Sequence, residues 1–145
     1  MLAISSQRGF NVLSIILTIV AIALVLGIGY LAINPEKRAA DKRNKQRLSD
    51  ITVILKGVEQ YTRANQTIFP KDITLDEEEV CKLDAQDCSG LVDLSVVKTY
   101  VGTLPVDPTI SSANSTGYAI IKTTDGHITI SAPHAEYGAV VKVTW

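Results

Sequence analysis

The sequence predicts an α+β protein. It has a long N-terminal helix, apolar all round in its lower half and amphipathic in its upper half, packed on a small antiparallel β-sheet head. Three observations predict this. Residues 12–33 are 22 consecutive positions without a charge. Leu48, Ile51, Ile54, Leu55, Val58 and Tyr61 then recur at spacings of three and four, the period of a helix with one buried face. Beyond Tyr100 the pattern changes to short β-prone runs separated by turn chemistry. Charge divides along the same lines. Arg8 is the single charge in residues 1–33, residues 34–64 carry a net +4, and residues 65–145 carry −6. The 145 residues suffice for one ordinary domain. A 46% hydrophobic content with a net charge of −1 excludes a disordered polyelectrolyte and argues against a dedicated nucleic-acid binder.

The apolar run comes first. At ~1.5 Å per residue, residues 12–33 make a helix of roughly 33 Å, against a hydrocarbon core of about 30 Å. A single-pass membrane helix is the leading reading. A secretory signal peptide competes with it, because Arg8 supplies a basic region and Ala21-Ile22-Ala23 imitates a small-residue cleavage site. Against the signal, residues 24–33 stay apolar where a polar exit is expected. A helix buried inside a soluble core is excluded, since roughly 110 further residues are too few to wrap it. Ala23 and Gly27 form a small-xxx-small pair that would let a second helix approach closely, although ordinary helix composition produces such pairs as well. Ser14 and Thr18 lie four apart on one face, where each hydroxyl can bond back to a carbonyl of its own helix. Gly27, Gly29 and Pro35 make residues 27–35 the stretch most easily bent.

The second half of the helix is expected to pack its apolar stripe against the head, with Pro70 closing the segment. Glu59 and Arg63 are four apart in the favourable order for an ion pair. Six basic residues occupy positions 37–47. They are read as a solvated, partly self-paired helix face; lipid headgroups and neighbouring subunits are alternatives. Nucleic acid is the weakest, because Glu36 and Asp41 interrupt the run and no aromatic accompanies it. Positive-inside reasoning would keep this cluster in the cytoplasm. The cysteines downstream argue the other way.

In the head, Cys81 and Cys88 are the only cysteines and lie seven apart. With no histidine nearby to complete a metal site, a short-loop disulfide formed in an oxidising compartment is the better reading, and two buried thiols are the alternative. Glu77-Glu78-Glu79 reads as a solvated loop or helix start. Residues 118–122 and 128–130 flank Thr124-Asp125-Gly126 and predict a hairpin. Residues 139–144 predict a third strand, with Val141 and Val143 on the face opposite Val140 and Lys142. His127 and His134 are isolated, and no serine sits in a nucleophile elbow. Asp107 and Asp125 could contribute to a calcium site, but no loop spacing of that kind is present. The expectation is a protein that is not an enzyme and has no cofactor.

Arg8-Gly9-Phe10 stands immediately before the apolar run. A short leader ending in Gly-Phe, followed by an uninterrupted apolar helix, resembles type IV prepilins and the pseudopilins of type II secretion systems. Asn34-Pro35, the basic helix after it, and Leu104-Pro105-Val106-Asp107-Pro108 through Gly117-Tyr118 are similar to pilin-like proteins with a compact head. The resemblance implies that a prepilin peptidase cuts between Gly9 and Phe10 and that Phe10 is then methylated. One position departs from the family pattern. Where a glutamate usually stands five residues into the mature chain, this sequence has Ser14, and Asn11 replaces a common threonine. A hydroxyl does not compensate a buried ammonium as a carboxylate does.

The resemblance thus implies a leader over residues 1–9, a transmembrane helix over 10–33, an amphipathic helix over 34–66 and a globular head over 67–145. Its expected work is structural. Membrane lipid stores the subunit through a helix whose packing involves Ser14, Ala23, Gly27 and Pro35, and other pilin-like subunits then receive it in a filament or pseudopilus. Ser14 favours a minor subunit. The alternative is a membrane-tethered extracytoplasmic binding domain that does not polymerise. Either way the head lies outside the cytoplasm.

Overall fold

The computed structural model describes residues 12–32 and 34–145, apart from the side chains of residues 30–32. The chain divides into two compact units, residues 1–36 and 37–145.

Helix α1 spans Val12–Ala32. Its residues are almost all Leu, Ile, Val, Ala and Gly, so no polar side develops. Side chains from Val12 to Ile28 are exposed all round the helix. The window Val12–Gly29 has a mean hydropathy of 2.9. Such a helix suits a membrane anchor or a signal. Thr18 Oγ1 donates to the Ser14 carbonyl at 2.8 Å, the expected back-bond within the helix.

Helix α2 spans Pro35–Ala64. Proline opens it because its fixed φ suits a helix's first turn, where a missing N–H costs nothing. Ile51, Ile54 and Val58 are completely buried, each contributing roughly 1.5–3 kcal/mol by burial, and Leu55 and Tyr61 pack partly against the same core. Leu48 departs from the expected stripe and is 48% exposed. The helix ends when Gln66 and Thr67 turn left-handed, with φ of 55° and 67°. The Asn65 side chain then caps the Tyr61 carbonyl at 2.8 Å, and the Thr67 amide caps that of Thr62 at 2.9 Å.

The head is a four-stranded antiparallel sheet in the order β1-β2-β3-β4: Glu78–Cys81, Ser115–Lys122, Ile128–Ser131 and Lys142–Thr144. The expected hairpin is β2 and β3, with Ile120 opposite Ile130. The third expected strand is present as β4 but shortened to three residues. Val141 and Val143 do turn to the core, while Val140 is 80% exposed. Strand β1 corrects the reading of the glutamate run. Glu78 and Glu79 pair with Ile120 and Ala119, because Val80 and Cys81 behind them are fully buried and draw the chain into the sheet. Between β1 and β2 lie a 3₁₀ turn at Ser95–Val97 and the four-residue helix α3, Lys98–Val101. Val92, Leu94, Val97 and Leu104 from this stretch join Tyr118, Ile120, Ile128 and Ile130 of the sheet and the stripe of α2 in one core. Helix α2 therefore packs on the sheet and supplies the cover that a one-sided sheet needs.

Candidate assembly elements and a buried charge network

Gly9 and Phe10 lie outside the described residues. Of the other expected site residues, Ser14, Ala23 and Gly27 belong to α1, and Pro35 is the first residue of α2. A Cβ added at Gly27 would meet open space.

Cys81 and Cys88 are joined in a disulfide with their Cα atoms 5.6 Å apart. The chain leaving the loop it closes folds back along the outer edge of β1. There the Cys81 amide donates to the Val92 carbonyl and the Val92 amide to that of Glu79, each at 2.9 Å, and Val80 and Val92 form a parallel bridge. The bridge thus braces a segment that covers an otherwise open sheet edge.

The polar centre of the head was not foreseen. The sequence predicts a solvated, partly self-paired face over positions 37–47, yet Arg47 has no exposed surface. Its five N–H groups all find acceptors. Nε reaches Asp107 Oδ2 at 2.6 Å, and Nη2 reaches Asp107 Oδ1 at 3.2 Å and Thr109 Oγ1 at 2.9 Å. Nη1 reaches Glu136 Oε2 and Asn44 Oδ1, both at 2.8 Å. A full turn earlier on α2, Arg43 makes a bidentate pair with Glu136, at 2.7 and 2.6 Å. The Asn44 amide and the Glu136 backbone exchange two bonds of 3.0 Å. Farther along α2, Asp50 Oδ2 accepts the Tyr118 hydroxyl at 2.6 Å, and its Oδ1 accepts from Gln46 at 2.7 Å. No buried side-chain nitrogen or oxygen among the described residues lacks a partner.

Local backbone chemistry makes this possible. Asp107 sits between Pro105 and Pro108, and its amide donates to the Thr116 carbonyl at 2.9 Å, which fixes the loop against β2. Gly117 has φ +78°, and a Cβ there would come within 2.6 Å of Ile110 and 3.1 Å of Asp107. Only glycine lets the loop lie this close.

The electrostatics follow the contacts. Hydrogen bonds to Arg43 and then Arg47 hold the Glu136 carboxyl at about 2. Burial pushes Asp107 upward, but bonds from Arg47 and Thr109 outweigh it and leave its pKa below the usual value. Arg47 is held more firmly protonated, through Asp107 first, with burial opposing and Glu136 adding to it. Burial, reinforced by the bond to Asp50, pushes the Tyr118 hydroxyl far up. All the carboxylates in this network are engaged by the fold.

That settles where Asp107 goes. Its oxygens face a guanidinium, whereas Asp125 lies exposed on the β2–β3 turn, bonded to Thr123. Among the described residues no three metal-ligating side chains gather. His127 stands 3.7 Å from Asp125 and His134 3.9 Å from Glu79. Ser115 bonds to the carboxylate of Glu79, so the acid stands between serine and imidazole.

No family model, curated protein or solved structure matches this chain. Its chemistry must be read from its own residues. They give an exposed apolar helix and a disulfide-braced sheet, with α2 bolted to the head by two arginines.

One signal could have located the network in advance. Arg47 falls in helical register with Ile51, Ile54 and Val58, and a charge on a buried stripe calls for a partner.

Proposed function

We propose that this chain is a pilin-like structural subunit of a type IV filament or type II secretion pseudopilus, and that it is not an enzyme. The observation that carries the reading is the sequence Arg8-Gly9-Phe10 directly before α1, a helix apolar on every side. The architecture supports it: an apolar helix, a long helix laid on an antiparallel sheet, and a disulfide. Such a helix is at home in lipid or among its own kind, so a subunit can be stored in the membrane and then handed to a bundle of subunits. The disulfide favours a head outside the cytoplasm. Arg43 and Arg47 are engaged by carboxylates of the head, so the fold itself accounts for two of the six charges that positive-inside reasoning would hold back.

Ser14 favours a minor or initiating subunit. It also sustains a second reading, a membrane-tethered extracytoplasmic binding domain that does not polymerise. N-terminal sequencing of the mature protein, made alongside a prepilin peptidase, tests the first step. A methylated Phe10 is expected; an intact Met1 would overturn the proposal. Mass spectrometry of sheared filaments then separates a polymerising subunit from a tethered one.

A further inference from the structure

Two exposed apolar features lie at opposite ends of the unit formed by residues 37–145. Where α2 begins, a groove of about 370 Å³ opens between it and the C-terminal segment. Leu48, Ala139, Val140 and Val141 line it, together with Lys45, Lys142 and Asp41. At the far end of α2, the loop into β1 holds Ile68 and Leu75, exposed by 65% and 59%. Asp76 and Glu77 follow Leu75 directly, and Asp72 precedes it by three residues.

The contacts fix which end is which. Glu136, close in sequence to the groove's Ala139, is held by Arg43 and Arg47 near the start of α2. The Thr74 carbonyl accepts from the Lys122 amide, at the end of β2 that enters the turn. Phe69, just beyond α2, packs edge-on against Trp145 and lies under the Lys122 ammonium. Between Leu48 and Ala64, α2 rises about 24 Å.

We propose that the groove receives the Leu75 loop of a second copy of this chain, head to tail. Leucine enters an apolar floor, and Asp76 and Glu77 meet Lys45 and Lys142. The charges complement one another: Lys45 and Lys142 outnumber Asp41 at the groove, and Asp72, Asp76 and Glu77 outnumber Lys71 around Leu75. Such a contact is heterologous. It joins two different patches and repeats along an open assembly unless its rotation closes a ring. The inference deepens the proposed function and rests on the chain being a self-assembling subunit.

Two differently tagged full-length copies, one carrying Leu75→Cys and the other Val140→Cys, would be co-expressed and treated in membranes with a short bismaleimide. Absence of labelling at Cys81 and Cys88 serves as the check on folding. The expected product is a 75–140 adduct. Lys45→Glu with Lys142→Glu should reduce it roughly tenfold, and adding Asp76→Lys with Glu77→Lys to the other copy should restore it. Only 75–75 or 140–140 adducts, or no adduct from chains that are processed to Phe10, would overturn this contact and leave the pilin reading standing. A chain that keeps residues 1–9 yet forms the 75–140 adduct would retain the contact and lose the pilin reading.

Discussion

Arg47 and Glu136 show how single residues can organise a head. Burying a guanidinium is costly unless every donor is met, and here all five are. Removing one member should therefore cost more than the pair is worth. We expect Arg47→Met, which strands Asp107, to lower stability by about 3–5 kcal/mol, and Arg47→Met with Asp107→Leu to recover part of that loss. Urea unfolding in detergent, followed by the fluorescence of Trp145, the single tryptophan, measures both. Acid gives an independent test. Glu136 has its pKa drawn from 4.5 to about 2 in the folded chain, so its contribution is complete above about 4.5 and is lost as pH falls toward 2. Asp107 shifts in the same direction. The urea midpoint should decline across that window, and Glu136→Gln should decline less steeply. At this scale the sequence was only partly legible. The Cys81–Cys88 disulfide was legible because the chain has only these two cysteines and no histidine near them to make a metal site. The partners of Arg47 come from 60 and 89 residues away, and no local pattern announces them.

Among the elements, period was the reliable guide. The stripe of α2 and the β2–β3 hairpin were legible because burial imposes 3.6 on one and 2 on the other. Strand β1 was hidden by its glutamates, whose side chains lie at a half-exposed edge while Val80 and Cys81 anchor the backbone. Leu48 misled for a different reason: one residue on from the buried Arg47, it is turned about 100° away from the face that Ile51, Ile54 and Val58 bury. Close packing sets a sharper test at Gly57, where an added Cβ would come within 2.6 Å of Val101 in α3. Although alanine is the better helix former, Gly57→Ala should destabilise the head by about 1–3 kcal/mol, because overpacking outweighs propensity. Combining it with Val101→Ala should reverse most of that effect in the same urea titration. The disulfide loop offers another. Replacing both cysteines with serine should cost about 2.5 kcal/mol in the chain-entropy picture. Hydrogen exchange should then rise first at the amides of Cys81 and Val92.

For the whole molecule, the legible part was the division into an apolar helix and an α+β head, because composition changes abruptly near Pro35. Whether the proposed subunit polymerises turns on Ser14. If a missing carboxylate limits incorporation, Ser14→Glu should raise the amount of subunit in sheared filaments, measured against total processed protein. Unchanged incorporation with normal processing would show that another feature sets the limit. The placement of the arginine clamps has a mechanical consequence. Arg43 and Arg47 tie the early turns of α2 to Glu136 and Asp107, on two separate stretches of the head. A load entering along α2 from its first residues would meet these ionic bolts before it reaches Ile51 and the aliphatic core beyond. A head pulled this way would give first at its internal ion pairs, and would weaken under load in acid sooner than at neutral pH.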